Sequence, residues 1–351
     1  MKETSSDCRG ASNLKFALRN FKSASLMGAM LLALCLSAEA QQPKSIPRIG
    51  YLSRDLHPAD SRAASPRNLE AFVQGLRQLG YIEGQSISVE YRYADGRLER
   101  LPALAQELIR LNLEIIVTDS IASSRAAKNA TKTIPIVMAS VGDPVVAGLV
   151  TSLARPGGNL TGTTDYSADL LGKRLEVLKE VAPKVVRFAF LNDVSSAASK
   201  PMFKDGQAAA DALGVKLELI EVEDPNPDLE GAFRLMLKNR IGGLITGSGR
   251  LGSSLHRKRI LELVERNRLP AIYATEPWLA AGGLMYYGAN DPDLFRRAAI
   301  YVDKILKGAK PADLPVEQPL KFDFGINLKA AKAINLTIPP NVLARANRVI
   351  P

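Results

Sequence analysis

The chain has 351 residues, 46% of them hydrophobic and 23% charged, and a formal net charge of +10. That is enough for two domains of ordinary size, each able to bury its own apolar centre. The excess of base is interspersed with acid, as in Arg257-Lys258-Arg259 followed by Glu262 and Glu265. With no basic stripe interleaved with aromatics and no helix-turn-helix pattern, nucleic acid is not an expected partner.

Lys15, Arg19 and Lys22 lead into an apolar stretch over residues 24–36, which ends near Ala38-Glu39-Ala40. This order of charge, hydrophobe and small residue predicts a secretory signal over 1–40, cleaved after Ala40, with export to the periplasm. The stretch is too short for the ~20 apolar residues of a membrane-spanning helix, and no second run approaches that length. Cys35 closes Leu32-Ala33-Leu34-Cys35, so a lipid anchor there is the alternative; Leu34 is bulky where a lipoprotein signal wants a small residue, which favours simple secretion. Cys8 and Cys35 are the only cysteines, so the mature chain from Gln41 can form no disulfide and depends on its core. Removing the five basic and three acidic residues of the leader lowers the net charge to +8.

From Arg48 onward, short apolar runs alternate with amphipathic stretches, the pattern of β-α units around a parallel sheet. Residues 48–53 read as a strand. Leu69, Phe72, Val73, Leu76 and Leu79 recur at helical spacing, and Gly80 supplies a stop. A strand follows over 86–91, a helix over 98–111, a strand over 114–118, a helix over 120–130 and a strand over 134–139. After the turn cluster Pro156-Gly157-Gly158-Asn159, a helix over 168–181 and a strand over 187–191 open a second sheet. It continues with helices over 197–213, 227–238 and 253–267, strands over 215–221, 241–246 and 271–274, and a short helix from Glu276.

The expected fold is therefore α/β, with two Rossmann-like lobes of parallel strands flanked by helices: a first over 41–162 and a second over 163–284. The stretch 285–351 is expected to cross back and complete the first lobe. Several crossings make a hinge, and a hinge between rigid lobes permits closure around a ligand. In open parallel sheets ligands sit beyond the carboxyl ends of the strands, so the loops there are the place to look.

In the first lobe those loops hold Ser53, then Thr118-Asp119-Ser120-Ile121-Ala122-Ser123-Ser124 and Ser140-Val141-Gly142-Asp143-Pro144. Asp119 and Ser120 crowd a helix start, where free amides and hydroxyls can hold a carboxylate or phosphate; an ordinary cap is the competing explanation. Asp143 can meet a ligand ammonium or cap the helix opened by Pro144, and the cap is favoured slightly. In the second lobe Asn192, Ser196 and Ser248 follow strand ends, and Glu276 stands beside Trp278 as a charge next to an aromatic wall. The candidate ligand-binding residues are thus Ser53, Asp119, Ser120, Ser140, Asp143, Asn192, Ser196, Ser248 and Glu276.

Enzyme readings fare poorly. The only histidines are His57 and His256, neither beside a nucleophile in sequence, and no G-x-S-x-G elbow, Walker pattern or metal-ligand cluster occurs. No catalytic residue, metal or cofactor is expected.

The opening Arg48-Ile49-Gly50-Tyr51-Leu52-Ser53, Gly75-Leu76-Arg77-Gln78-Leu79-Gly80-Tyr81, Gly142-Asp143-Pro144-Val145, Arg155-Pro156-Gly157-Gly158-Asn159-Leu160-Thr161-Gly162, Gly172-Lys173-Arg174-Leu175-Glu176 and Leu314-Pro315-Val316-Glu317-Gln318-Pro319 resemble the substrate-binding family of ABC transporters that includes TrpX-like receptors. The resemblance covers nearly all of the mature chain. It implies a periplasmic-binding-protein-like type I fold, no catalysis, a small-molecule solute such as an amino acid and a membrane permease as partner; the chain is expected to be a monomer. Within it, Asp119-Ser120 stands where relatives carry Gly-Thr, and Asn192-Asp193 where Asn-Pro is common. A sensory receptor of the same fold is the second reading, and a secreted enzyme a distant third.

Overall fold

A computed structural model describes residues 46–57, 66–166, 170–194, 199–223, 226–247, 250–252 and 254–351. The predicted leader with Cys35, and the candidates Ser196 and Ser248, lie outside them. Among the described residues no helix is long and apolar enough to cross a membrane.

The first sheet is wholly parallel, in the order β2-β1-β3-β4-β5, with β1 at Arg48–Ser53, β2 at Ser88–Tyr93, β3 at Ile115–Thr118, β4 at Ile136–Val141 and β5 at Leu160–Thr164. Central strands covered on both faces need continuous apolar runs, and β3 is buried at every position. Helices α2 (Leu101–Ile109) and α3 (Ile121–Ala130) contribute to one core, through Leu104, Leu108 and Ala127 beside Leu52 and Ile116. On the other face α1 (Pro66–Gln78) presents Phe72 and Leu76 to Ile49 and Val117.

The second sheet has the order β12-β11-β10-β9-β8-β6-β7. Its strands are β6 (Arg187–Asp193), β7 (Lys216–Val222), β8 (Gly243–Thr246), β9 (Ala271–Tyr273), β10 (Met285–Ala289), β11 (Phe322–Asn327) and β12 (Arg348–Ile350). All neighbours are parallel except β10 and β11. Around it lie α4 (Leu170–Val181), α5 (Ser199–Ala212), α6 (Leu229–Lys238), α7 (Ser254–Arg266), α8 (Glu276–Ala280), α10 (Leu328–Ala333) and α11 (Pro340–Leu343), while α9 (Asp291–Leu306) belongs elsewhere. Its two faces have separate cores, one around Phe188, Phe190 and Leu175, the other around Phe233, Leu263 and Trp278.

The stretch from 285 corrects the expectation that it returns whole to the first lobe. Residues 291–317 do so: in α9 Phe295, Ala298, Ala299 and Val302 pack with Phe72 and Leu76, and after it Val316 joins the core on the other face of the first sheet. The helices meet at Gly75, where a Cβ would lie 2.9 Å from both the Ala299 Cβ and the Arg296 carbonyl oxygen, so only glycine admits this approach. The strands go the other way, because Met285, Phe324 and Ile326 find their apolar partners in the second core. The chain thus passes between lobes three times, between Thr164 and Leu170, around Asn290, and between Glu317 and Phe322.

Strand β5 has no counterpart among the strands read from the sequence. Its Leu-Thr-Gly-Thr-Thr is apolar at one position, yet every residue is buried. The threonines are satisfied by hydrogen bonds: Thr161 donates to the Leu314 carbonyl at 2.6 Å, and Thr163 and Thr164 engage the segment at Glu317.

Candidate functional site

The carboxyl ends of β1, β3, β4 and β5 bring Ser53, Asp119, Ser120, Ser140 and Asp165 to one edge of the first sheet. Asp119 is braced there. One carboxylate oxygen accepts from the Ser53 hydroxyl; the other accepts from the Arg54 N–H at 3.2 Å and from the Ser123 hydroxyl at 3.2 Å. Ser53 in turn accepts from the Asp55 N–H at 3.0 Å. Ser120 caps α3 reciprocally with Ser123.

Ser140 sits at φ 56°, in the left-handed region that serine seldom adopts. Its N–H donates to the Thr163 hydroxyl at 3.0 Å and its hydroxyl to Asp291 at 2.6 Å. Asp143 accepts from the N–H groups of Val145 and Val146 at 2.9 and 3.0 Å, the turn-capping role. In the second lobe Asn192 is buried at the end of β6, its amide oxygen 2.1 Å from where a Cβ on Gly247 would stand. Glu276 accepts from Arg348, and Arg67 of the first lobe approaches it to 3.8 Å.

The sequence reading passed over the charged groups that occupy the space between these loops. Arg54 follows β1; its Nε lies 3.6 Å from Asp55, and the side chain is 42% exposed. Burial disfavours its charge, but Asp55, Asp119, Asp165 and Asp291 outweigh that and raise its pKa. Burial and Asp55 push Asp119 up to about 6, although Ser53 and Arg54 oppose the shift. Burial and Asp291 push Asp165 to about 7 against the pull of Arg54 and Arg174. Asp291 is raised to about 6 by burial, with Ser140 and Arg54 opposing.

From the second lobe, Arg174 on α4 is 3% exposed; its Nε donates to the Tyr287 carbonyl at 2.7 Å and one terminal nitrogen to that of Ala274 at 3.4 Å. Burial lowers its pKa to about 10 despite Asp165. Arg257 on α7 is likewise lowered by burial, with Asp55 across the gap and Glu276 on its own lobe opposing. The field of each lobe is therefore felt by charges on the other.

Arg174 was legible. It stands four residues after Leu170 and four before Leu178, on the apolar stripe of α4, where an unpaired charge calls for an explanation. Asp165 was hidden because β5 was. A cavity of about 840 Å³ between α7, α8 and α10, lined by Leu261, Leu284 and Ile334 among others, contains none of the predicted residues, although Arg257 also lines it.

Two parallel-sheet lobes joined by three crossings, with polar loops converging between them, define the class of two-lobed solute-binding proteins. The family model for ABC transporter substrate binding proteins matches residues 61–350, and the chain belongs to that family. It is a family of binding proteins, not of enzymes. A tyrosine-binding protein of Clostridioides difficile is 27% identical over 297 residues, 84% of this chain and 82% of that one. The structure of a Streptococcus pneumoniae ABC domain in complex with L-Trp aligns with TM-score 0.78 at 25% identity, covering 87% of this chain and all of that one. A ligand-free, open substrate binding protein with adhesive properties from Clostridium difficile aligns at 0.68 with 27% identity, covering 87% and 99%.

Proposed function

We propose that the chain is the extracytoplasmic receptor of an ABC importer: exported to the periplasm, it closes its two lobes on a small solute and presents the closed form to a membrane permease. The observation that carries this reading is that charges on the two lobes act on one another, Arg174 of the second on Asp165 of the first and Asp55 of the first on Arg257 of the second. A ligand that bridges such walls favours closure by its differential contacts there.

The amino-acid ligands in the names of two relatives support an amino acid as the solute. In this reading the predicted residues Ser53, Asp119, Ser120, Ser140, Asp143, Asn192 and Glu276 form the wall of the cleft. A thermal-shift screen of the protein from Gln41 onward against amino acids, nucleosides, sugars and small acids tests binding. Stimulation of the cognate permease's ATPase by the liganded protein tests delivery. A stabilising compound that leaves the ATPase at its basal rate would remove the importer role.

A further inference from the structure

We infer that the cavity of about 840 Å³ between α7, α8 and α10 is a second binding site, within the second lobe, for a small molecule with an apolar body and an anionic head such as a carboxylate. Its volume falls in the range of about 300–1,000 Å³ that small-molecule sites occupy.

The cavity extends away from the interlobe face. Leu269, Gly283, Leu284 and Asn327 line one end of it. Leu269 and Leu284 lie just before β9 and β10, and Asn327 ends β11, which runs antiparallel to β10. That end is therefore at the amino ends of the parallel strands, opposite the carboxyl ends that carry Asn192 and lead to Glu276. From there the cavity follows α7 back to Arg257, in the first turn of that helix.

Two buried polar side chains in this wall lack a partner. Tyr273 is fully buried, its ring stacked on Trp278 at 4.5 Å. Gly283 closes on the other side, where a Cβ would lie 2.8 Å from the ring Cε2. The ring is thus held in place, yet its hydroxyl has no hydrogen-bond partner. Arg257 is 8% exposed, and among the described residues none forms a hydrogen bond or close ion pair with its guanidinium. Buried polar groups are ordinarily satisfied, and buried charges ordinarily paired, so an occupant of the cavity completes what the protein leaves open.

The chemistry of the wall selects that occupant. Leu261, Val264, Pro277, Ala330 and Ile334 offer an apolar surface, against which a sugar would leave hydroxyls unsatisfied. The charged lining residues are Arg257, Lys258 and Lys329 against Glu262 and Glu265, and Glu262 is already paired with Arg259 at 2.8 Å. The charge left over is positive and favours an anion over a cation. A phenol hydroxyl donates most strongly to a charged acceptor, so Tyr273 supplies the hydrogen bond and the cations supply the field.

The test is calorimetric, with octanoate as the probe and 1-octanol and octylamine as its neutral and cationic counterparts. Octanoate is expected to bind at least about tenfold more tightly than octanol, and octylamine more weakly than either. Tyr273→Phe removes only the unpartnered hydroxyl, so it should fold with an undiminished melting temperature and bind octanoate about tenfold more weakly. Arg257→Met should weaken octanoate while leaving octanol unchanged, the signature of a charge effect. Ala333→Trp, on the exposed side of α10, should obstruct the cavity and abolish binding of both. No octanoate binding to the wild type, octylamine binding as tightly as octanoate, or Tyr273→Phe and Ala333→Trp both within about twofold of wild type would each overturn the inference.

Discussion

The hydroxyl of Ser140 donates to the carboxylate of Asp291 at 2.6 Å across 151 positions of sequence. It ties the end of β4 to the first residue of α9, at the second of the three passages between lobes. The bond holds Ser140 at φ 56° and places Asp291 among the cleft charges. Here a residue read as a ligand contact is a strut that positions a charged neighbour.

Ser140→Ala should therefore lose about 2 kcal/mol of stability, because a hydrogen bond to a charged acceptor disappears while the strained backbone remains. Ser140→Gly loses the same bond but relieves the backbone, and should lose less. Urea unfolding of the two variants compares them, and equal losses would contradict the strain argument.

The raised carboxyls give a pH dependence with a definite sign. Asp165, ordinarily near 3.8, titrates at about 7 in the folded chain, so the folded state holds the proton more tightly than the unfolded one. Its contribution to stability is complete below about pH 4 and is lost as pH rises through about 7. Asp119 and Asp291 act in the same direction up to about 6. Asp165→Asn should match the ligand-free wild type near pH 4 and exceed it by on the order of 1–3 kcal/mol above pH 7, a range reduced for access of solvent to the cleft. Melting temperatures across that range decide; a variant less stable than wild type at pH 8 would contradict the assignment.

Asp119→Ala leaves the Ser53 hydroxyl, the Arg54 N–H and the Ser123 hydroxyl without their acceptor, and should lose roughly 2–3 kcal/mol whether or not ligand is present. Asp119→Asn keeps one acceptor oxygen and should lose less. Chemical denaturation of the ligand-free proteins measures both. An undisturbed Asp119→Ala would show that the brace carries no weight.

At Gly162 φ is 131°, and a Cβ would lie 2.2 Å from the Met138 carbonyl oxygen. Gly162→Ala should lose at least about 3 kcal/mol, because both the backbone and the β4–β5 contact must shift. A soluble variant with wild-type melting would contradict the close approach of β5.

How much was legible follows from what signals each element. The runs at β1, β3 and β8 are apolar because they are covered on both faces, and α9 shows its stripe plainly; these were read correctly. Strand β5 is buried through threonines bonded to a segment about 150 residues away, which no local pattern reveals, and with it went Asp165. The carboxyl edge of the first sheet was found, but Ser120 and Asp143 serve as the caps that competed with their ligand reading. The return of β10–β12 to the second sheet was missed because periodicity gives the face of a strand but not its neighbour.

The most direct measurement is small-angle scattering of the protein from Gln41 onward, titrated with the amino acid that binds it most tightly. A bridged cleft predicts that the radius of gyration falls and saturates with the same dependence on ligand as the calorimetric heat. A profile unchanged at full occupancy, with the compound bound, would place the ligand outside the space between the lobes and contradict the account.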